Sequence, residues 1–190
     1  MKRIAVLASG GGTLAEAIFE AVDKKVLHCS IEALICDKSD APVIDRAHKY
    51  KVPVFLHPMM NDRNDWNAQL LQYLQSLDLD LVVSAGFMRI LDHSVTSALP
   101  IINSHPALLP QFPGAHAVRD ALAAGVTKTG TTIHWVDAGV DTGPIIAQQE
   151  LEIAPGDDEE SLHERIKILE RSLIVATIQQ LLSTMEKNGS

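Results

Sequence analysis

Two polar residues, Asn103 and His105, stand two positions apart where the apolar segment "PIINSHP" ends. In an extended backbone, residues at i and i+2 point to the same side. Histidine is the common acid or base near neutral pH, and an asparagine amide can donate a hydrogen bond to a developing oxyanion. The pair therefore predicts a catalytic site, and the alternative is a polar loop that satisfies only its own backbone.

A carboxylate next to His105 would raise the pKa of the imidazole and favour its charged form. The segment "DAGVDTGP" offers Asp137 and Asp141 beside turn glycines, where aspartate most often forms an Asx turn, and spacing does not choose between them. His134 is predicted to be a packed or hydrogen-bonded strand residue, and His116 to flank a helix. The remaining histidines are expected on the surface: His28, His48, His57, His93 and His163.

A glycine-rich segment follows the first apolar run and precedes the first helical pattern; it contains Gly10, Gly11, Gly12 and Thr13. Glycines let backbone N–H groups approach a ligand, and a helix N-terminus attracts an anion. The segment is neither a Walker loop nor a G-x-G-x-x-G fingerprint. It is either a phosphate cradle or a tight strand-to-helix turn with Thr13 as the N-cap, and the residues leave both open.

The segment "SAGFMRIL" (84–91) ends another apolar run. In open parallel sheets, ligands bind outside the carboxyl ends of the strands. Phe87, Met88, Ile90 and Leu91 are therefore expected either to wall a pocket for a flat ring or to be ordinary core. In the second case Arg89 would be a surface ion-pair partner. The sequence has no metal-binding signature and no G-x-S-x-G nucleophile motif.

These segments must be positioned by alternating strands and helices. Helical periodicity indicates helices at 14–25, 41–50 and 65–77, between apolar runs at 3–8, 27–38, 52–56, 79–86 and 100–104. The pattern predicts an α/β fold: a Rossmann-like, mostly parallel, twisted sheet with helices on both faces. Two further strands near 129–139 and 143–153 are expected to be antiparallel at the sheet edge. A long helix at 156–183 starts with acidic residues, as the helix dipole favours.

Composition narrows the class of protein. The chain of 190 residues fits one domain, and 46 % hydrophobic residues suffice for a sizeable core. A formal net charge of −8 argues against a nucleic-acid partner. No apolar run reaches the roughly 18 residues of a membrane span, so no membrane partner is expected. Two cysteines are too few for a disulfide framework and suggest a reducing, cytoplasmic setting.

Several segments together resemble the phosphoribosylglycinamide formyltransferases, a folate-dependent family of purine synthesis. They are "VLASGGGTLAEAI", "SAGFMRIL", "NSHPALLPQFPG", "GTTIHWVDAGVDTGPII" and "ESLHERIKILER". The resemblance runs from about residue 3 to residue 180. It implies one domain over 1–190, with a phosphate- and nucleotide-binding half (1–100) and a catalytic and folate-binding half (101–190).

The resemblance also implies an activity. A formyl group would pass from the co-substrate 10-formyltetrahydrofolate to the amine of glycinamide ribonucleotide, without a metal, in a monomer or homodimer. The alternative within the same chemistry is a formyltetrahydrofolate hydrolase, which uses water in place of the amine and usually carries an extra N-terminal domain, for which no room is expected before residue 3. A relative that formylates transfer RNA is not expected, because it would carry a C-terminal nucleic-acid-binding domain and this chain is acidic. A folate- or nucleotide-binding module without activity would not need Asn103, His105 and Asp141 together.

The resemblance further assigns roles to individual residues. Asn103, His105 and Asp141 match the family's catalytic trio, which selects Asp141 over Asp137. The substrate-binding positions are Gly10, Gly11, Gly12, Thr13, Arg63, Lys167 and Glu170. The folate-binding positions, with the pocket-wall residue Phe87, are Met88, Arg89, Ile90, Leu91 and Val140. The family usually has asparagine where this chain has Leu14, and often where it has Gly11, so a side-chain contact to phosphate is lost at position 14.

Overall fold

The computed structural model describes residues 1–187 and contains a seven-stranded sheet. The strands are β1 (Lys2–Ala8), β2 (Cys29–Cys36), β3 (Val54–Leu56), β4 (Leu81–Ser84), β5 (Ile101–His105), β6 (Lys128–Trp135) and β7 (Ile145–Glu152). They lie in the order β3-β2-β1-β4-β5-β6-β7. β1 to β5 are parallel, whereas β6 pairs antiparallel with both β5 and β7. The predicted mostly parallel sheet with an antiparallel edge is confirmed.

Helices connect the strands and cover the sheet. They are α1 (Thr13–Asp23), α2 (Val43–Lys49), α3 (Arg63–Ser76), α4 (His93–Ala98), α5 (Ala117–Ala123) and α6 (Glu159–Lys187). The short helix α4 was not predicted, because only Val95 of its six residues is buried and no apolar periodicity marks it. Its start is nevertheless encoded locally, since the Asp92 side chain accepts a hydrogen bond from the Ser94 N–H at 2.8 Å.

The core lies on the two faces of the sheet. One face packs against α1, α2 and α6, where Ile18, Val43 and Ile174 are fully buried. The other face packs against α3, where Trp66 and Leu70 are fully buried. The continuous burial of β4 and most of β1 reflects this double coverage. No helix within residues 1–187 is long and apolar enough to cross a bilayer.

His57 is part of this core, and the expectation that it lies on the surface is wrong. It is only 4 % exposed, and its Nε2 lies 2.9 Å from the Trp66 carbonyl oxygen. Its ring stacks between the rings of Phe55 and Trp66. Burial is tolerated because the polar ring nitrogen has a backbone partner.

The strand order predicts a crevice on the side of the sheet where the carboxyl ends of the parallel strands lie. β1 is flanked by β2 and β4, so the chain winds outward in two directions from the β1–β4 pair. At such a reversal the connecting loops diverge and leave a crevice beyond the carboxyl ends of the strands. The segments that follow β1, β4 and β5 all begin at this edge, which is where the sequence predicted its candidate ligand contacts. The proposed division into halves at residue 100 stays a prediction, and its last residues, 188–190, lie outside the described residues.

Candidate active site

Four polar side chains converge at the carboxyl end of β5. His105 Nδ1 lies 3.2 Å from Asp141 Oδ2, and Asn103 Nδ2 lies 3.5 Å from Asp141 Oδ1. His134 Nε2 lies 3.2 Å from Asn103 Nδ2 and 3.4 Å from Asp141 Oδ1. The structure therefore brings together Asn103, His105 and Asp141, and it adds His134 to them.

Asp141 and Asp137 have different surroundings, although both lie in the turn between β6 and β7. Asp137 Oδ1 accepts hydrogen bonds from the Gly139 N–H and the Thr142 hydroxyl at 3.0 and 2.7 Å, so it organises the turn itself. Asp141 has a positive φ of 55°, which is uncommon for a non-glycine residue and directs its carboxylate toward His105. Backbone strain of this kind is often found at functional sites.

The His105 ring faces an oxygen at each nitrogen. Nδ1 lies near the Asp141 carboxylate, and Nε2 lies 2.8 Å from the carbonyl oxygen of Phe112. Phe112 also has a positive φ, 54°, so this carbonyl is held by an unusual backbone conformation. Only the doubly protonated imidazolium can donate to both oxygens.

Burial opposes that charge. It is the largest influence on His105, which is 3 % exposed, and it lowers the pKa of the imidazole. The Asp141 carboxylate and the Phe112 carbonyl raise the pKa but do not offset burial, so the pKa of His105 lies below its ordinary value. The carboxylate thus raises the pKa of the imidazole, as predicted, and burial, which was not considered, outweighs it.

The Asp141 carboxyl is held in its ionised form. Burial raises its pKa, but the neighbouring His134 ring and the hydrogen bond from the Gly114 N–H outweigh burial, and the pKa of Asp141 lies below its ordinary value. The Gly114 N–H donates to Oδ2 at 2.8 Å. This bond ties the Asp141 turn to the loop that follows His105, so two segments distant in sequence are fixed against each other.

His134 was predicted to be a hydrogen-bonded strand residue, but its place in the site was not predicted. It is 2 % exposed, and its Nδ1 lies 2.8 Å from the Trp135 carbonyl oxygen, so Nδ1 carries the proton. In the neutral ring, Nε2 then accepts from the Asn103 amide. Its position follows from the antiparallel pairing that sets Asn103 opposite His134, a register that a single sequence does not reveal.

The glycine loop at the end of β1 is exposed at Gly10 and Gly11. Gly12 has a φ of 72°, and a Cβ there would lie 2.3 Å from Val43 Cγ2, so glycine is required. The N–H groups of Gly10, Gly11 and Gly12 donate no hydrogen bond to another residue in the part of the chain that the structure describes. Thr13 is the first residue of α1 and does not cap it, because the N-cap is Gly12 and no side chain accepts a capping bond. Leu14 packs against the core.

The loop after β4 is tied to neighbouring strand ends. The Met88 N–H donates to Ser9 Oγ at 2.9 Å, and Arg89 Nε lies 2.6 Å from Asp37 Oδ2. Arg89 is thus an ion-pair partner, as the alternative interpretation of this segment expected. Met88 and Ile90 are 65 % and 61 % exposed, whereas Leu91 and Phe87 pack into the core; Val140, in the turn after β6, is 47 % exposed.

A cleft of about 400 Å³ adjoins this loop, and Ile90, Leu91 and Ala138 line it. Arg63, at the start of α3, also lines the cleft and stacks over the Trp66 ring, with its guanidinium carbon 4.8 Å from the ring centroid. Arg63 Nη2 donates to the Ile90 carbonyl oxygen. Through Ile90, Arg63 therefore contacts a residue predicted to bind folate.

The long helix α6 carries the last two predicted substrate contacts. Glu170 is 7 % exposed and accepts a hydrogen bond from the Ser104 hydroxyl at 2.6 Å. Because burial outweighs this bond, the pKa of Glu170 lies above its ordinary value. Lys167 pairs with Glu164 at 2.7 Å on the helix surface. Ser104 stands between the two β5 site residues, so α6 is anchored directly behind them.

The described residues contain no cluster of three or more histidine, cysteine, aspartate or glutamate side chains arranged to hold a metal ion. The arrangement they do contain is an ionised carboxylate, two imidazoles and a carboxamide at one sheet edge. Such a set can donate hydrogen bonds to a developing oxyanion and move a proton, which suits the attack of a nucleophile on a carbonyl carbon.

Comparisons with known proteins agree with this chemistry. The family described as "Formyl transferase" matches residues 2–178. Phosphoribosylglycinamide formyltransferase of Mycobacterium tuberculosis (strain ATCC 25618 / H37Rv) is 45 % identical over 186 residues, which cover 94 % of this chain and 84 % of the relative. The Bacillus subtilis (strain 168) protein of the same name is 40 % identical, and the match covers 96 % of this chain and 95 % of that relative. The crystal structure of the Bacillus halodurans phosphoribosylglycinamide formyltransferase is 41 % identical, with a TM-score of 0.92 over 96 % of both chains.

Proposed function

The chain belongs to the formyl transferase family, and from that premise we propose that it is a phosphoribosylglycinamide formyltransferase of purine biosynthesis. It would transfer the formyl group of 10-formyltetrahydrofolate to the amine of N1-(5-phospho-D-ribosyl)glycinamide. The names of relatives at 45 % and 40 % identity support this substrate pair. The observation that carries the proposal is the convergence of Asn103, His105 and Asp141 at one sheet edge.

The reaction needs stabilisation of a tetrahedral intermediate. The substrate amine attacks the formyl carbon, a new C–N bond forms, and negative charge develops on the formyl oxygen. Asn103 Nδ2 and the His105 imidazolium are the hydrogen-bond donors that would stabilise this charge. Removing one such donor typically costs about 2.7–4 kcal/mol of barrier.

His105 must exchange a partner to act in this way. Its Nε2 faces the Phe112 carbonyl oxygen at 2.8 Å, so an oxyanion would compete with that carbonyl for the proton. An oxyanion is the stronger acceptor, and hydrogen bonds between charged groups are about twice as strong as neutral ones. The bond to Phe112 therefore keeps the ring in place until the charge develops.

Proton movement completes the transfer. The attacking amine loses a proton, the bond from the formyl carbon to the folate nitrogen breaks, and that nitrogen gains a proton. Asp141 is ionised and 3.2 Å from His105, so it would support the imidazolium and, directly or through water, carry this proton. No covalent enzyme intermediate is needed.

The two substrates would occupy adjoining parts of the sheet edge. The substrate phosphate would meet the N–H groups of Gly10, Gly11, Gly12 and Thr13. Lys167 and Glu170 would reach the phosphate and the ribose or glycinamide part of the substrate. The folate would lie against Phe87, Met88, Arg89, Ile90, Leu91 and Val140. Arg63, a substrate-binding position according to the resemblance, lines the Ile90 cleft, and we propose that it meets an anionic part of the folate there.

The test is an absorbance assay of folate turnover with and without glycinamide ribonucleotide. We expect turnover only with the ribonucleotide, and a loss of more than tenfold in His105→Ala. Formate release at the same rate without the ribonucleotide would identify a formyltetrahydrofolate hydrolase instead. Wild-type turnover in His105→Ala would remove that residue from the mechanism.

A further inference from the structure

Arg46, a residue of α2 outside the catalytic cluster, contacts the glycine loop. Its Nε donates to the Gly11 carbonyl oxygen at 2.7 Å, and its Nη1 pairs with Glu16 in the first turn of α1. Lys49, one turn further along α2, pairs with the other oxygen of Glu16 at 3.0 Å but makes no contact with the loop among the described residues. The two cations therefore share one carboxylate, and only Arg46 also holds the loop backbone.

The contacts of α2 determine where the loop's N–H groups point. The Val43 N–H donates to the Gly10 carbonyl oxygen at 3.2 Å, and Arg46 holds the next carbonyl, that of Gly11. In a planar trans peptide the C=O and the following N–H point in opposite directions. Holding these two carbonyls toward α2 therefore turns the N–H groups of Gly11 and Gly12 away from it, toward the solvent side of the loop.

Of the two bonds, only the one to Gly11 depends on a side chain. The Gly10 carbonyl is bound by a backbone N–H, which no substitution except proline removes. The loop also has open space, because a Cβ at Gly10 or Gly11 would meet no atom within 4 Å. Without Arg46, packing at Gly11 therefore does little to keep its carbonyl turned toward α2.

Arg46 also determines the local charge. Glu16 lies in the first turn of α1, the same turn that would receive the substrate phosphate. An unpaired carboxylate there would repel a phosphate, and its ion pairs with Arg46 and Lys49 offset that repulsion. Since Leu14 packs in the core and offers no polar group, the backbone N–H groups are the main contacts left at this end of the site.

We propose that Arg46 is a positioning residue for the substrate phosphate: it orients the Gly11–Gly12 peptide and neutralises Glu16 without touching the ligand. This inference rests on the proposed function, because it assumes that the glycine loop binds the phosphate of the substrate amine. On this proposal, Arg46 affects the affinity for the phosphorylated substrate, whereas the chemical step depends on Asn103, His105 and Asp141.

The test compares Arg46→Met with Lys49→Met, which removes a cation from the same carboxylate. We expect Arg46→Met to raise KM for glycinamide ribonucleotide at least tenfold, while kcat and KM for the folate change less than threefold. Lys49→Met should change KM less than threefold. Equal effects of the two variants, or a loss confined to kcat, would overturn the proposal.

A double variant separates charge from orientation. In Arg46→Met with Glu16→Gln, the carboxylate that Lys49 would still pair is also gone, and the remaining rise in KM reports the lost bond to the Gly11 carbonyl. Full restoration of the wild-type KM would show that Arg46 acts only through charge and would refute its role in orienting the peptide. Arg46→Lys should fall between wild type and Arg46→Met, because one ammonium group cannot reproduce both contacts of the guanidinium.

Binding of inorganic phosphate tests the inference independently of turnover. In a ¹⁵N–¹H spectrum of the wild-type protein, the Gly11 and Gly12 amides should shift on phosphate addition, with at least tenfold weaker binding in Arg46→Met and unchanged binding in Lys49→Met. Phosphate shifts in a protein that transfers no formyl group would refute the proposed function and leave this inference standing. Absence of any shift in the wild-type loop would refute the inference.

Discussion

The substitution Asp141→Asn separates the charge of this residue from its shape. Oδ2 accepts from the Gly114 N–H at 2.8 Å and faces His105 Nδ1 at 3.2 Å, so the amide oxygen is expected to take this position. The new NH₂ group then replaces Oδ1 and faces His134 Nε2, an acceptor in the neutral ring, but it no longer accepts from Asn103 Nδ2, which lies 3.5 Å from Oδ1. The variant should therefore fold normally and lose the negative charge beside the imidazole together with the long contact to Asn103.

The size of the effect follows from that contact. A hydrogen bond to a charged partner contributes about 1.5–3 kcal/mol, and a neutral one about 0.5–1.5 kcal/mol. The difference of about 1–1.5 kcal/mol corresponds to about one pKa unit. Because the Asp141 carboxylate raises the pKa of His105, its removal should lower that pKa further. At a pH above the pKa of His105, the fraction of the ring that is imidazolium falls about tenfold for each unit by which that pKa decreases. At pH 7.5, kcat should therefore fall about tenfold or more.

The assay is the pH dependence of kcat for formyl transfer in wild type and variant. We expect the limb assigned to His105 to move about one pH unit lower, with the two rates converging as the pH falls. Asp137→Asn is the matched control, because that carboxylate holds the same turn through Gly139 and Thr142 but does not contact His105. A limb that does not move, or an equal loss in the control, would refute the role assigned to Asp141.

Two further substitutions test the loop and the helix behind the site. Gly12→Ala should lower the free energy of unfolding, measured with urea, by about 2–4 kcal/mol, because the new Cβ would meet Val43 and the φ of residue 12 is positive. Gly11→Ala should lower it by less than about 1 kcal/mol, and equal losses in the two variants would contradict this account of the loop. Glu170 has a raised pKa in the folded protein, so the stability that it contributes is present below pH 4.5 and is lost as the pH rises through the folded-state pKa. Glu170→Gln keeps an acceptor for the Ser104 hydroxyl and removes the buried charge. It should raise Tm at pH 8 by about 2–4 °C, which corresponds to about 1 kcal/mol in a chain of this length, and by less at pH 5. A lower Tm at pH 8 would contradict the role assigned to Glu170.

Much of the fold was predictable because its local signals are strong. Parallel strands buried on both faces appear as continuous apolar runs, and α3 appears as a periodic stripe with Trp66 and Leu70 in the core. The helix α4 lacks such a stripe and was missed. His57 was misplaced because a buried histidine with a backbone partner has no distinctive local pattern.

The sequence predicts the site residues that lie on one strand, but not those whose position depends on how two strands pair or on how a turn folds. Asn103 and His105 share a side of β5 because they are i and i+2. Asp141 could not be chosen over Asp137 from spacing, because the choice depends on how the turn after β6 folds back. His134 joins the cluster only through the β5–β6 register, and a shift of one residue would turn it to the other face. Arg46 has the sequence pattern of an ordinary surface helix residue.

The destination of the formyl carbon tests the central claim most directly. With ¹³C-formyl-labelled 10-formyltetrahydrofolate and glycinamide ribonucleotide, we predict that ¹³C NMR shows the label on the substrate amine as a formamide. One formamide should form for each formyl group that the folate loses. The same transfer should be slowed at least tenfold in Asn103→Ala and in His105→Ala. Label that appears as free formate, or that reaches the amine at the wild-type rate in both variants, would contradict the account.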